Sequence, residues 1–142
     1  MEEIKKKEME IVSFVYCEDV QNDPQGKAMI IGPMQFMPVV NFPTNYSFCA
    51  SFGIYNMPKC GFSIRFEFID PDGEAVQGGM NQMMVPAIPD DKIKNPKLPL
   101  SIQVNMGFRN IILSKEGRYE ARIYLNERKV NSYPIEVLLN AN

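Results

Sequence analysis

Every second residue from Phe62 to Phe68 is a large apolar side chain, and the residues between, Ser63, Arg65 and Glu67, are polar. Successive side chains of a strand point to opposite faces, so this run has one apolar face and one wet face. A helix would scatter the same residues around its circumference. A half-apolar strand must be paired at its edges and covered on its apolar face. The rest of the chain therefore has to supply a sheet and a second layer.

The same period returns near the C-terminus. Tyr119, Ala121, Ile123 and Leu125 alternate with Arg118, Glu120, Arg122 and Tyr124. Asn126-Glu127-Arg128-Lys129 interrupts the alternation, and Val130, Tyr133, Ile135, Val137 and Leu139 resume it. This predicts a β-hairpin with a short polar loop. Pro134 cannot donate to a ladder, which places the last strand at an edge or a bulge. A tyrosine following Gly117-Arg118 also resembles the corner residue at the entry to a late strand of immunoglobulin-like domains.

Further strands are predicted at 11–17, 27–32, 46–55, 100–106 and 111–113, with a short one around Val39-Val40. Asn22-Asp23-Pro24-Gln25-Gly26-Lys27 and Asp70-Pro71-Asp72-Gly73-Glu74 have turn chemistry. Residues 75–87 read as extended but weakened by Gly78 and Gly79. Prolines punctuate the loops at 33–45 and 86–99. Residues 2–8 add at most a frayed turn of helix.

Many short strands separated by prolines predict an all-β fold, a single immunoglobulin-like antiparallel β-sandwich of about seven to nine strands. At 142 residues one domain is expected, with a charged segment at 1–10 and the sandwich at 11–142. A chain of this size buries about 68–70% of its unfolded surface, so the core needs neither metal nor disulfide.

Composition narrows function mainly by exclusion. The net charge of −2 gives no strong nucleic-acid signal. No apolar run approaches the ~18–20 residues that span a bilayer. The opening MEEIKKKEMEI has charges where a signal peptide needs apolar residues. A cytoplasmic location is expected, in the chain's own cell or a host's. Cys17, Cys49 and Cys60 are odd in number and fall in or beside predicted strands, which predicts buried free thiols. With no histidine, Ser-His-Asp and Cys-His triads and His-ligated zinc are excluded. No P-loop is present, and Gly78-Gly79 is not a dinucleotide fingerprint. No enzyme activity and no cofactor are expected.

Three weaker patterns remain. Asp70, Asp72 and Glu74 alternate as in a calcium loop, but the glycine falls at the fourth position and Asn81 at the twelfth, so a hairpin turn is expected. Glu18-Asp19 and Asp90-Asp91 are adjacent, which suits solvated carboxylates better than a facing acid–base pair. Phe108 beside Arg109 is a single aromatic–basic pair, where single-stranded nucleic acid needs a groove of them. The ten methionines are more unusual; Met80, Met83 and Met84 cluster, and Met34 and Met37 fall in another loop. Methionine fills gaps in cores, and it also suits adaptable binding surfaces.

The order of signals resembles a family of small bacterial and phage-borne β-sandwich domains of unknown function. The resemblance rests on Glu18-Asp19, the run Gly26 to Gly32, Phe42-Pro43, the run Phe68 to Gly73, and Gly117-Arg118-Tyr119 with Ile123 and Leu125-Asn126. It implies a fold and no activity, and no catalytic residue carries over. The expected function is a non-enzymatic protein-interaction domain of a phage or mobile element, acting on a host or defence protein or as a particle accessory. The alternative is a small-molecule or carbohydrate-binding sandwich. A protein partner is expected at residues 78–85, with Met83 and Met84 as anchors beside Met80.

Overall fold

The computed structural model describes residues 8–140. The strands run β1 (Glu10–Asn22), β2 (Ala28–Met34), β3 (Phe36–Val39), β4 (Thr44–Tyr55), β5 (Phe62–Ile69), β6 (Ala75–Val85), β7 (Ser101–Leu113), β8 (Gly117–Leu125) and β9 (Arg128–Leu139), with a single 3-10 turn at Asp90–Lys92. They form a four-stranded sheet, β2-β1-β4-β7, packed on a five-stranded sheet, β3-β9-β8-β5-β6. This is the expected immunoglobulin-like sandwich: a central hairpin, β8–β9, flanked by β5, with β6 added at the rim as in variable-type domains. The expected helical turn at residues 2–8 lies almost wholly outside the described residues.

Pairing is antiparallel except between β3 and β9, which run parallel over Phe36–Val39 and Glu136–Leu139. Because β3 covers only that end of β9, Pro134 sits in the half of β9 paired on one side only, with Glu120 of β8 as its partner. The predicted edge position of Pro134 is therefore realised. The β8–β9 turn contains only Asn126 and Glu127, at φ 51° and 64°, the left-handed pair of a type I′ hairpin. Residues 107–110, read as a break, continue β7 instead. Asn110 adopts φ 55° there, and its amide donates to Ser47 Oγ at 3.0 Å, which absorbs a register shift against β4 without ending the strand.

Two turns share one design. In Asp23-Pro24-Gln25-Gly26-Lys27 and Asp70-Pro71-Asp72-Gly73-Glu74, the Asp carboxylate accepts the amides two and four residues on, at 2.7–2.9 Å. In both, the glycine takes a positive φ, 81° and 84°, where an L side chain would be strained.

The core is aromatic and spans both layers. Phe62, Ile64, Phe66 and Phe68 are all within 2% of full burial, as their alternation predicts. Phe108 of β7 lies between Phe48, at 5.0 Å, and Phe66, at 4.6 Å. Tyr119 is the corner residue: its ring is buried and its hydroxyl donates to the Lys115 carbonyl at 2.7 Å. Two residues beyond the corner tyrosine, antibody domains carry a cysteine of their inter-sheet disulfide. Here that position is Ala121, and the sheets are joined by Tyr16. From β1, its hydroxyl accepts the Ala121 amide at 3.2 Å and donates to the Tyr133 carbonyl, bridging a directly opposed β8–β9 pair. Burial pushes the Tyr16 hydroxyl far above the ordinary phenol range, so it stays protonated and can donate.

Candidate interaction edge

Strand β6 is the rim of the five-stranded sheet on the side where β7 is the rim of the other. Its first half is bulged. Met80 pairs with Glu67 while Ala75 pairs with Ile69, so β6 carries extra residues between these points. The two glycines sit in that excess. Gly78 takes φ 81° against Ile111 of β7, and Gly79 is pressed so closely on Phe68 that an added Cβ would lie 2.9 Å from Phe68 Cβ. The glycines thus let the bulge seal against the core and β7, so they serve packing as well as weakening the strand.

The second half, from Met80 to Val85, pairs residue for residue with β5. Directly opposed residues share a face, so Asn81, Met83 and Val85, opposite Phe66, Ile64 and Phe62, point to the inner side. Met80, Gln82 and Met84, opposite Glu67, Arg65 and Ser63, point outward. The three expected methionines therefore divide between faces. Met80 and Met84 are 62% and 70% exposed on the outer face, while Met83, 38% exposed, lies at the margin of the core. Met83 and Met84, expected together as anchors, point to opposite faces, because neighbours on a strand diverge.

The outer face beside this edge is charged and internally paired. Arg65 stacks over the Tyr124 ring at 3.8 Å, bonds Glu127 at 3.1 Å and pairs with Glu67. Arg122 pairs with Glu120 at 2.8 Å. These ladders leave β6 itself, from Ala75 to Val85, without a charge or a proline. Edge strands ordinarily carry such residues to discourage pairing with another chain.

An open cleft of about 920 Å³ lies at one end of the sandwich. Met9, Met57 and Leu100 give it an apolar floor, and Arg128 and Lys129 from the start of β9 supply cations.

The remaining sequence candidates fall elsewhere. Asp70 is occupied by the amides of its own turn, and Asp72 pairs with Lys115. Among the described residues, no three His, Cys, Asp or Glu side chains gather as a metal site, so Asp70, Asp72 and Glu74 form a turn rather than a cluster. Phe108 points into the core and is separated from Arg109 on the opposite face. Met37 is fully buried, and Met34 accepts the Tyr46 hydroxyl at 3.3 Å. The expectation of three buried thiols holds only for Cys17. Cys49 is half-buried and Cys60 is exposed. Cys60 lies in the turn before β5, where no alternation directs it inward. No helix among the described residues is long and apolar enough to cross a membrane.

Residues 12–138 match DUF6941, a family of unknown function. The chain belongs to that family. No curated protein matches it. Among solved structures, this DUF6941 chain is similar to an immunoglobulin-like protein from Pseudomonas aeruginosa, at 12% identity and TM-score 0.46, over 93% of this chain and 98% of that one. It is also similar to an alkylpurine DNA glycosylase from Pseudomonas fluorescens, at 10% identity and TM-score 0.46, covering 91% of this chain and 30% of that one. A β-glucosidase from Listeria innocua gives 10% identity and TM-score 0.48, covering 95% of this chain but 16% of the enzyme. The DUF6941 chain thus spans under a third of either enzyme.

Proposed function

We propose that this DUF6941 chain is a non-enzymatic protein-interaction domain that receives a partner's strand along the second half of β6. The supporting observation is a rim paired with β5 on one side, free of charge and proline, and flanked outward by Met80 and Met84. An added strand supplies backbone hydrogen bonds, and flexible methionines adapt to the side chains it brings. The phage or mobile-element setting rests on the sequence resemblance described above.

The test is retention of protein from a lysate of the encoding cell by the immobilised chain, against Met80→Ser/Met84→Ser, with thermal melting of both. A partner kept by the parent and lost by an equally stable variant supports the reading. Equal retention by both overturns it. The second reading, a small-molecule site, is favoured by the cleft with Arg128 and Lys129 beside an apolar floor. Under it, Arg128→Ala/Lys129→Ala would abolish ligand binding while the β6 variant would keep it.

A further inference from the structure

Cys17 and Cys49 are directly opposed on β1 and β4, in the central pair of the four-stranded sheet. The flanking pair, Tyr16 and Ala50, points into the core, so the two cysteines share the outer face. Opposed residues of an antiparallel pair have Cα atoms about 4.5–5.5 Å apart, within the ~4.4–6.8 Å that a disulfide spans. The row continues with Pro33 beside Cys17 and Gly107 beside Cys49. Gly107 has no side chain, and even a Cβ there would lie 3.9 Å from the Cys49 sulfur. The sheet surface is therefore open on the Cys49 side and closed on the Cys17 side, which matches their half-buried and buried states.

We propose that Cys17 and Cys49 form a dithiol modification site that a small soluble disulfide oxidises to a cross-strand disulfide, with Cys49 as the attacking thiol and Cys17 as the resolving one. In the first step Cys49 gives up its proton, and its sulfur attacks one sulfur of the reagent. A mixed disulfide forms and one reagent thiol leaves, taking up the proton. In the second step the Cys17 sulfur, on losing its proton, attacks the Cys49 sulfur. The mixed disulfide breaks, the Cys17–Cys49 bond forms, and the second reagent thiol leaves protonated. Two electrons pass from the protein to the reagent, and no other oxidant is required. Burial holds both thiols above their ordinary range, with Asp19 adding to the effect, so the pair reacts slowly at neutral pH and faster in mild alkali.

The test uses the full chain carrying Cys60→Ser, which removes the exposed thiol. It is treated with oxidised glutathione at mildly alkaline pH without denaturant, then mapped by non-reducing peptide mass analysis. The expected product has lost both remaining thiols, carries no glutathione and yields a linked Cys17–Cys49 peptide. Adding Cys17→Ser should instead leave glutathione on Cys49. A stable glutathione adduct in the chain that retains both cysteines, or two thiols still free until denaturant is added, overturns the proposal. If Cys17→Ser proves unstable, Cys17→Ala serves for the same trapping measurement.

Discussion

Strands β5 and β6 are joined by one turn and paired to each other, yet the chain treats them oppositely. Strand β5 places four large side chains in the core, has neighbours on both sides and carries its charges on the outer face. Strand β6 has one hydrogen-bonded neighbour, a bulge with two glycines that rests on β7, and its most exposed methionines on that same outer face. The contrast shows where the sandwich is committed to itself and where it remains available. Aromatic residues and hydrogen bonds are concentrated where two layers must be held; flexible, uncharged side chains are left on the second half of a rim that no further strand hydrogen-bonds.

The contrast breaks most sharply in the core. Phe66→Ala removes a ring packed on Phe108 and should destabilise by about 3–5 kcal/mol in denaturant unfolding. Glu67→Ala, one residue along on the outer face, should stay within about 1 kcal/mol, because it removes a partly exposed ion pair. Equal effects would mean that the faces of β5 are misassigned. Tyr16→Phe keeps the buried ring but strips the Ala121 amide and Tyr133 carbonyl of their shared partner. A loss of about 1–3 kcal/mol is expected, measured the same way.

Alkali should act on the strands around this pair. Tyr16, Tyr46, Tyr119, Tyr133, Cys17 and Cys49 are all raised chiefly by burial, and none belongs to β5 or β6. Their neutral forms are favoured by folding, so the stability they contribute is complete below the unfolded values, 9.0 for the thiols and 10.0 for the phenols. It is lost as pH rises through the folded values. The melting temperature should therefore hold from neutral pH to about 9 and fall beyond it. The smallest effect belongs to the rim: Met80→Ser/Met84→Ser should change stability by only about 0.5 kcal/mol.

Much of the scaffold was legible because it follows period and turn chemistry. The alternation at Phe62–Phe68 and Tyr119–Leu125 assigns faces without any knowledge of neighbours, and Asp-Pro-x-Gly reports its own turn. What was not legible depends on register. Whether Met83 shares a face with Met84 follows from alternation, but which face looks inward is decided by the pairing of Ile64 with Met83. The bulge at Gly78 and Gly79 concealed that phase. Likewise Cys17 and Cys49 are 32 positions apart in sequence, and only the β1–β4 register sets them opposite. Tyr16 as the inter-sheet tie gave no local signal at all, since a tyrosine in an apolar strand looks the same wherever its hydroxyl ends.

Residue-resolved hydrogen exchange of the isolated chain in dilute solution tests the central claim, that the second half of β6 is a formed strand with an unoccupied outer edge. Amides of β5 should be protected along its length. Between Met80 and Val85 protection should alternate, with amides directed at β5 slow and those directed away exchanging freely. Uniform protection of β6, equal to that of β5, would show that the edge is already covered and would contradict the account.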